Sequence, residues 1–383
     1  MTALHFDNVA KVYKGAKDRA VDALTMHIKD GEIVALLGSS GCGKTTSLRM
    51  VAGLETITEG EIRIGERVVN TLRPSQRNVA MAFESYALYP PLRVRENIAF
   101  GLLRDRVAHG EIEKRVKRIA AMLEITDLLE RYPPSISGGA QQRVSLARAL
   151  IRNAAVHLLD EPMSQLEPQL RALLRARIKD YLISQKMTTV VVTHDQTEAI
   201  ALADRIAVME KGILQQFATP HDLQEWPANL FVASFIGEPP MNLFPAMLQD
   251  GRIAVFNERQ EVAFHVPLTT SQAARKLGAG KRIMVGVRPH RIHVAPAGPV
   301  EGATLTGEVQ SNHWLGDHCQ IGFQVRGCAV IAVAGRDVRA PVGSQAPVVI
   351  PVAAVRIFDV DSGAAIETSQ ETAASLEGLK QPA

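Results

Sequence analysis

One stretch constrains this chain more than any other: Gly38-Ser39-Ser40-Gly41-Cys42-Gly43-Lys44-Thr45, set between the mostly apolar run 32–37 and a helical run 44–52 that ends at Gly53. The eight residues match the phosphate-loop pattern, and they lie where it must lie, after a strand and at the start of a helix. Glycines let backbone N–H groups curl around an anion, and the helix N-terminus adds its positive end. Lys44 reaches β- and γ-phosphates, and Thr45 offers a hydroxyl to magnesium. Outside that context the same residues would be a glycine-rich turn with a chance lysine.

The surrounding pattern is that of an α/β layered domain. Helical runs at 111–123 and 141–151 alternate with apolar strands at 156–159 and 188–193, and unbroken apolar strands suit a parallel sheet covered on both faces. The pattern changes at Gly237-Glu238-Pro239-Pro240, where tandem prolines stop helices and remove ladder donors, and the domain boundary is expected there. Beyond it, short apolar runs at 286–294, 307–310 and 347–352 between Gly and Pro read as a small β-barrel, and the polar segment 367–383 reads as a frayed tail. The expected division is therefore 1–237, with a helical subdomain at about 86–165, then 238–366, then the tail.

Composition bounds the function. A chain of 383 residues with 46% apolar and 22% charged residues is globular and long enough for two or three domains. With 43 Lys and Arg against 40 Asp and Glu the net charge is +3, and aromatics are 5%, which disfavours a nucleic-acid surface. The lack of a long apolar stretch and of a basic-then-apolar N-terminus leads to the expectation of no membrane span and no signal peptide. Three widely spaced cysteines, Cys42, Cys319 and Cys328, encode neither a disulfide framework nor a zinc site. Cys42, inside the loop, is a candidate for alkylation that nucleotide blocks.

Val156-His157-Leu158-Leu159-Asp160-Glu161 supplies the complement to the loop: a buried strand that carries Asp160 to the magnesium shell and Glu161 to an attacking water. Adjacent carboxylates repel unless a cation and a water divide their roles. Alone, such a pair would more often cap a helix or sit in a solvated turn.

Ile136-Ser137-Gly138-Gly139-Ala140-Gln141-Gln142-Arg143 resembles the signature motif of the ATP-binding cassette ATPases, spaced ahead of the Asp160-Glu161 strand as in that family. By itself, Ser137-Gly138-Gly139 is also an ordinary helix cap. The resemblance implies a P-loop NTPase cassette with a helical subdomain, followed by an all-β OB-like regulatory region. It implies ATP and Mg2+ as ligands, with one ATP sandwiched between two chains and Ser137, Gly138 and Gly139 acting in trans. Tyr13 matches the aromatic that stacks on adenine, Thr46 joins the loop set, and His194 matches the switch histidine that contacts the γ-phosphate. Without the family match, Tyr13 would be a strand tyrosine and His194 satisfied polar packing.

The segments 85–90 (Ser-Tyr-Ala-Leu-Tyr-Pro), 193–199 (Thr-His-Asp-Gln-Thr-Glu-Ala), 239–242 and 286–289 are similar to ATPase subunits of carbohydrate importers of the maltose and glycerol-phosphate type. That similarity implies a peripheral subunit on the cytoplasmic face of the plasma membrane, docked to transmembrane permease subunits through a groove after residue 84. It further implies a dimer with itself or with a paralogous ATPase, and an indirect link to an external solute-binding protein. Three positions depart from the family pattern: Glu84 replaces a glutamine near magnesium and the catalytic water, Ala140 replaces the signature glutamine, and Glu167 replaces an aspartate. These departures raise the alternative of a slowed, regulatory half in a heterodimer. A further alternative, a soluble cassette ATPase working on nucleic acid, is disfavoured by the near-neutral charge and the permease-type groove residues.

Overall fold

Chain order and spatial order diverge from the first strands of the computed structural model, which describes residues 2–105, 107–249, 252–267, 280–294 and 302–366. The strands β1 (Leu4–Lys11), β2 (Val21–Ile28) and β3 (Ile33–Gly38) precede α1 (Lys44–Ala52), after which come β4 (Glu59–Ile64), β5 (Arg67–Val68) and β6 (Val79–Ala82). An antiparallel sheet in the order β2-β1-β4-β5 takes four of these strands, while β3 and β6 enter a second sheet. Helices α2 (Val94–Arg104), α3 (His109–Met122) and α4 (Gly138–Leu150) intervene before β7 (Val156–Asp160), α5 (Pro168–Ser184), β8 (Thr189–Val192), α6 (Gln196–Leu202), β9 (Arg205–Glu210) and β10 (Ile213–Ala218). The second sheet runs β10-β9-β3-β8-β7-β6 and is parallel except at the β9–β10 edge.

The strands β3, β7 and β8 are buried along their whole length because both faces of the sheet are covered. Period-two alternation decides which cover each side chain meets. Val34, Leu36, Leu158 and Val190 share a core with Leu48 and Val51 of α1 and with Leu4 and Phe6 of β1. Ile33, Leu159 and Val191 point the other way, to a core built from α2 to α5. In α3 the buried residues Ile112, Val116, Ile119 and Ala120 form the stripe expected of an amphipathic helix. Helix α4 starts three residues before the expected position, because Ser137 caps it: Ser137 Oγ accepts a hydrogen bond from the Ala140 N–H at 3.3 Å.

The chain divides into two units between Pro220 and His221. This lies ahead of Gly237, where the tandem prolines suggested a boundary. Helices α7 (Pro220–Glu225) and α8 (Leu230–Phe235) belong with the C-terminal strands, since the buried Arg288 donates to the carbonyls of Gln224 (2.8 Å), Ala233 (3.0 Å), Leu223 (3.3 Å) and Ile236. The second unit continues with β11 (Asn242–Gln249), β12 (Arg252–Phe256), β13 (Val262–Pro267), β14 (Arg282–Val287), β15 (Gly302–Trp314), β16 (His318–Val325), β17 (Cys328–Gly335), β18 (Gln345–Pro351) and β19 (Val355–Asp359). These pair as two antiparallel sheets, β13-β12-β11-β14-β19 and β17-β16-β15-β18, around one core that includes Phe244, Val285, Phe323 and Ile350. The run 286–294 is not one strand: β14 ends before Arg288, and Pro289, which has no N–H to give a ladder, opens a short 3-10 turn. The expected tail, 367–383, lies outside the described residues.

Candidate active site

Strand β3 delivers the glycine loop to the carboxyl edge of the parallel sheet, where such sheets bind ligands. Two glycines are required by close approach. A Cβ on Gly38 would stand 2.2 Å from the Met209 carbonyl oxygen, and one on Gly43, at φ 101°, would stand 2.4 Å from that of Ala20. Lys44 is buried under the loop, with Nζ donating to the carbonyls of Gly38 (2.7 Å) and Ser39 (2.9 Å). Its neighbour Thr45 donates from Oγ1 to Asp160 Oδ1 at 3.2 Å. Ser39, Ser40 and Gly41 form the exposed rim of the turn.

Tyr13 stands at the same rim with its hydroxyl 3.3 Å from Thr46 Oγ1. Lys11 places its Nζ 4.9 Å from the centroid of the Tyr13 ring and is itself anchored on the Thr56 carbonyl at 2.7 Å. Cys42 departs from expectation. It is 2% exposed, and burial raises its thiol despite the nearby Lys44, so the loop cysteine is a poor alkylation target.

The two acids at the end of β7 meet different surroundings. Burial pushes Asp160 up to about 6, the Thr45 hydroxyl opposes that rise, and the charges of Glu84 and Glu161 add to it. Glu161 is in the left-handed region at φ 49°, with its N–H donating to the Val192 carbonyl at 2.9 Å. Its carboxylate faces His194, whose Nδ1 lies 2.9 Å from Oε1 and 2.8 Å from Oε2. Parallel pairing of β7 with β8 sets both residues at one edge.

Sequence reasoning passed over Gln142 as a site residue. It is 3% exposed on α4, donates to the Glu161 carbonyl at 2.8 Å and to Ser164 Oγ at 3.0 Å, and accepts from the Gln165 N–H at 3.0 Å. A polar residue on the buried face of a helix was the available signal.

The signature residues are grouped apart from this cluster, at the N-terminus of α4. Gly138 lies beside the Tyr86 hydroxyl, and a Cβ on Gly139 would approach the Gln165 carbonyl oxygen to 3.0 Å. Ala140 is buried at 3% exposure. Glu84 is exposed and precedes two left-handed residues, Tyr86 (φ 62°) and Ala87 (φ 48°), whose carbonyls accept from Arg148 at 2.9 and 2.7 Å. Glu167 opens α5, where Arg171 links the Leu166 carbonyl (3.1 Å) to Asp195 Oδ2 (3.2 Å). A cavity of about 540 Å³ follows Glu84, lined by Phe83, Tyr89, Phe100 and Arg148 among others.

The residues fit a magnesium nucleotide. The Thr45 hydroxyl and an Asp160 carboxylate oxygen lie side by side, and both are hard oxygen donors of the kind magnesium takes. Beside them are a buried ammonium and a loop whose glycines leave no side chain in the way.

Comparison with known proteins identifies the family. Residues 21–164 match the ABC transporter family, 237–292 the MalK OB fold domain and 285–358 the TOBE domain. The sn-glycerol-3-phosphate import ATP-binding protein UgpC of Chromobacterium violaceum is 40% identical over 98% of this chain and 99% of its own length. The xylose/arabinose import ATP-binding protein XacK of Haloferax volcanii is 41% identical over 97% of each chain. The trehalose/maltose import ATP-binding protein MalK of Thermococcus litoralis is 39% identical over 96% of this chain and 100% of its own. Among solved structures, the dimeric ATP-binding cassette MJ0796, bound to ADP and Pi in a post-hydrolysis state, superposes with a TM-score of 0.53 at 30% identity, covering 56% of this chain and 98% of its own. The chain belongs to the family of ABC transporter ATP-binding proteins in which the ATP-hydrolysing cassette is followed by a MalK-type OB fold and a TOBE domain.

Proposed function

We propose that the chain is the energy-coupling ATPase of an importer for sugars, polyols or glycerol phosphate, peripheral on the cytoplasmic face of the plasma membrane. The observation that carries this reading is the pairing of Glu161 with His194 beside the Thr45–Asp160 contact, at the edge where Lys44 lies under the loop. The named substrates of the relatives supply the solute class. Among the described residues no helix is long and apolar enough to cross a membrane, and the spans belong to permease subunits. In this reading the cavity after Glu84 receives a short permease helix, and an external binding protein supplies the solute to the permease.

In this mechanism Glu161 accepts a proton from water as the water oxygen attacks the γ-phosphorus. The bond to the bridging oxygen breaks in line, and its electron pair leaves with ADP. Lys44 and the loop N–H groups hold the phosphates, and Tyr13 stacks on the base. Thr45 and Asp160, with Glu84 nearby, would hold magnesium, which would supply charge neutralisation at the phosphates. His194 fixes the Glu161 carboxylate, and Ser137, Gly138 and Gly139 of the opposite subunit close over the γ-phosphate. Glu161→Gln is expected to lower ATP turnover by at least about a hundredfold while leaving ATP affinity in place. Turnover within a few fold of the parent, measured as phosphate release, refutes the base assignment.

A second reading makes this chain the slower half of a pair with a paralogous ATPase. It is favoured by Glu84, whose charge adds to that of Glu161 on Asp160.

A further inference from the structure

Hydrolysis of ATP does not require a second buried acid behind the histidine, yet Glu198 is one. It sits in the first turn of α6 at 2% exposure. Its Oε2 accepts from Thr193 Oγ1 at 3.0 Å, and its Oε1 is buried with no hydrogen-bond partner among the described residues. Thr193 Oγ1 in turn accepts from the Asp195 N–H at 3.0 Å, and Asp195 Oδ1 accepts from the Glu198 N–H at 3.0 Å. His194 lies inside this ring of bonds. The residues before and after it are tied together by one threonine hydroxyl, and the direction of that hydroxyl is set by Glu198.

The charges around Glu198 oppose its ionisation. Asp195, at the cap of its own helix, and Glu161, at the end of β7, are both negative. Arg171, on α5, attracts it, but that guanidinium is already bonded to Asp195 Oδ2 (3.2 Å) and to the Leu166 carbonyl (3.1 Å). Lys179, also on α5, donates to the Ala201 carbonyl at 2.7 Å, toward the far end of α6. Strand β3, beneath the helix, contributes buried apolar residues. A buried carboxylate with one unpaired oxygen is destabilised by desolvation, and the neutral acid is not. Burial, with Asp195 and Glu161 adding to it and Thr193 and Arg171 opposing, raises Glu198 from 4.5 to about 7.

We propose that Glu198 is a positioning residue that works as the neutral acid, holding the turn that sets His194 against Glu161, and that its ionisation, by driving the carboxylate away from Asp195 and Glu161 toward water, takes the acceptor from the Thr193 hydroxyl, loosens the turn and slows hydrolysis. The proposal rests on the ATPase reading above. It makes the enzyme responsive to alkaline pH through a group that touches neither nucleotide nor metal.

The test uses the full chain and the variants Glu198→Gln and Glu198→Ala, with phosphate release followed from about pH 6 to 9 at saturating ATP. In the parent, kcat is expected to fall by up to about tenfold per pH unit on the alkaline limb. Glu198→Gln, which accepts from Thr193 but cannot ionise, is expected to keep most of the neutral turnover and to lack that limb. Glu198→Ala leaves the Thr193 hydroxyl without its acceptor and is expected to lower kcat about tenfold with KM for ATP unchanged. A Gln variant that keeps the alkaline limb, or that loses turnover as fully as the Ala variant, overturns the proposal.

A second measurement stands apart from catalysis. The folded parent binds a proton at Glu198 that the unfolded chain releases near 4.5, so parent stability falls relative to Glu198→Gln between about 4.5 and about 7 and the gap then stays constant. Melting curves across that range read the gap directly, and a constant offset overturns the neutral-acid assignment. If the parent turns over no ATP while the gap opens as expected, the ATPase reading fails and the assignment of the proton stands.

Discussion

At the scale of the residue, Glu84 and Asp160 make the site sensitive to acid. Asp160 must be ionised to ligate a cation, and burial with two neighbouring carboxylates holds it at about 6. With Asp160 in the proposed role of magnesium ligand, protonation would compete with the metal, and turnover is expected to fall as the pH drops through about 6, with the fall moving to lower pH as magnesium is raised. Glu84→Gln removes one of the repelling charges. It should shift the acid limb of kcat/KM downward and raise turnover near pH 6 several-fold, measured at fixed magnesium; an unshifted limb removes the case for an impaired half-site. The loop, Asp160 and Glu161 were legible in the sequence from the apolar strands they end or follow, whereas His194 was singled out only by its likeness to the family's switch histidine. Glu198 was not legible. It lies in the 193–199 segment, and nothing in that spacing says that its carboxyl turns inward, to 2% exposure.

At the scale of the element, α4 does two tasks. Its N-terminus carries the signature glycines, and one turn later Gln142 fastens the left-handed Glu161 and the loop at Ser164 and Gln165. A non-glycine residue in the left-handed region is strained by roughly 1–2 kcal/mol and stays there only when held. Gln142→Ala removes the side-chain acceptor of the Gln165 N–H and one of the donors to the Glu161 carbonyl, which keeps Ser164 Oγ at 3.3 Å, at about 1 kcal/mol in stability. The expected result is a melting temperature lower by several degrees and a kcat reduced about tenfold, with ATP affinity changed little; a drop in affinity equal to the drop in kcat contradicts a role in holding Glu161. Helices α1, α3 and α4 and the strands β3, β7 and β8 could be placed from the helical pattern and from unbroken apolar runs. The antiparallel β2-β1-β4-β5 sheet could not, because β1 has Asn8 at φ 51° and shifts register against β2 between Phe6 and Val9, which breaks the period-two pattern.

At the scale of the whole molecule, each unit has its own core and its own anchors. Lys44 and Gln142 organise the first, while Arg288 ties four carbonyls of α7 and α8 in the second. ADP at about a hundred times its dissociation constant should stabilise the first unit by about 2.7 kcal/mol. Arg288→Ala should lower the unfolding temperature of the second unit alone, so that calorimetry shows one transition that follows ADP and another that follows residue 288. A single transition displaced by both changes refutes separate units. The sequence announced the second unit by its prolines, yet α7 and α8 lie on the near side of them, and only the buried guanidinium shows which unit they join.

The interleaved sheet also has a consequence for the ribosome. Strand β3 lies between β8 and β9, and Ile33 finds its neighbours at Thr189 and beyond, about 150 residues later in the chain. At about 5–20 residues per second, synthesis leaves that apolar strand without either partner for roughly 8–30 s. During this interval the nascent polypeptide exposes two bare ladder edges, the kind of segment that chaperones shield and that pairs with other chains when left uncovered.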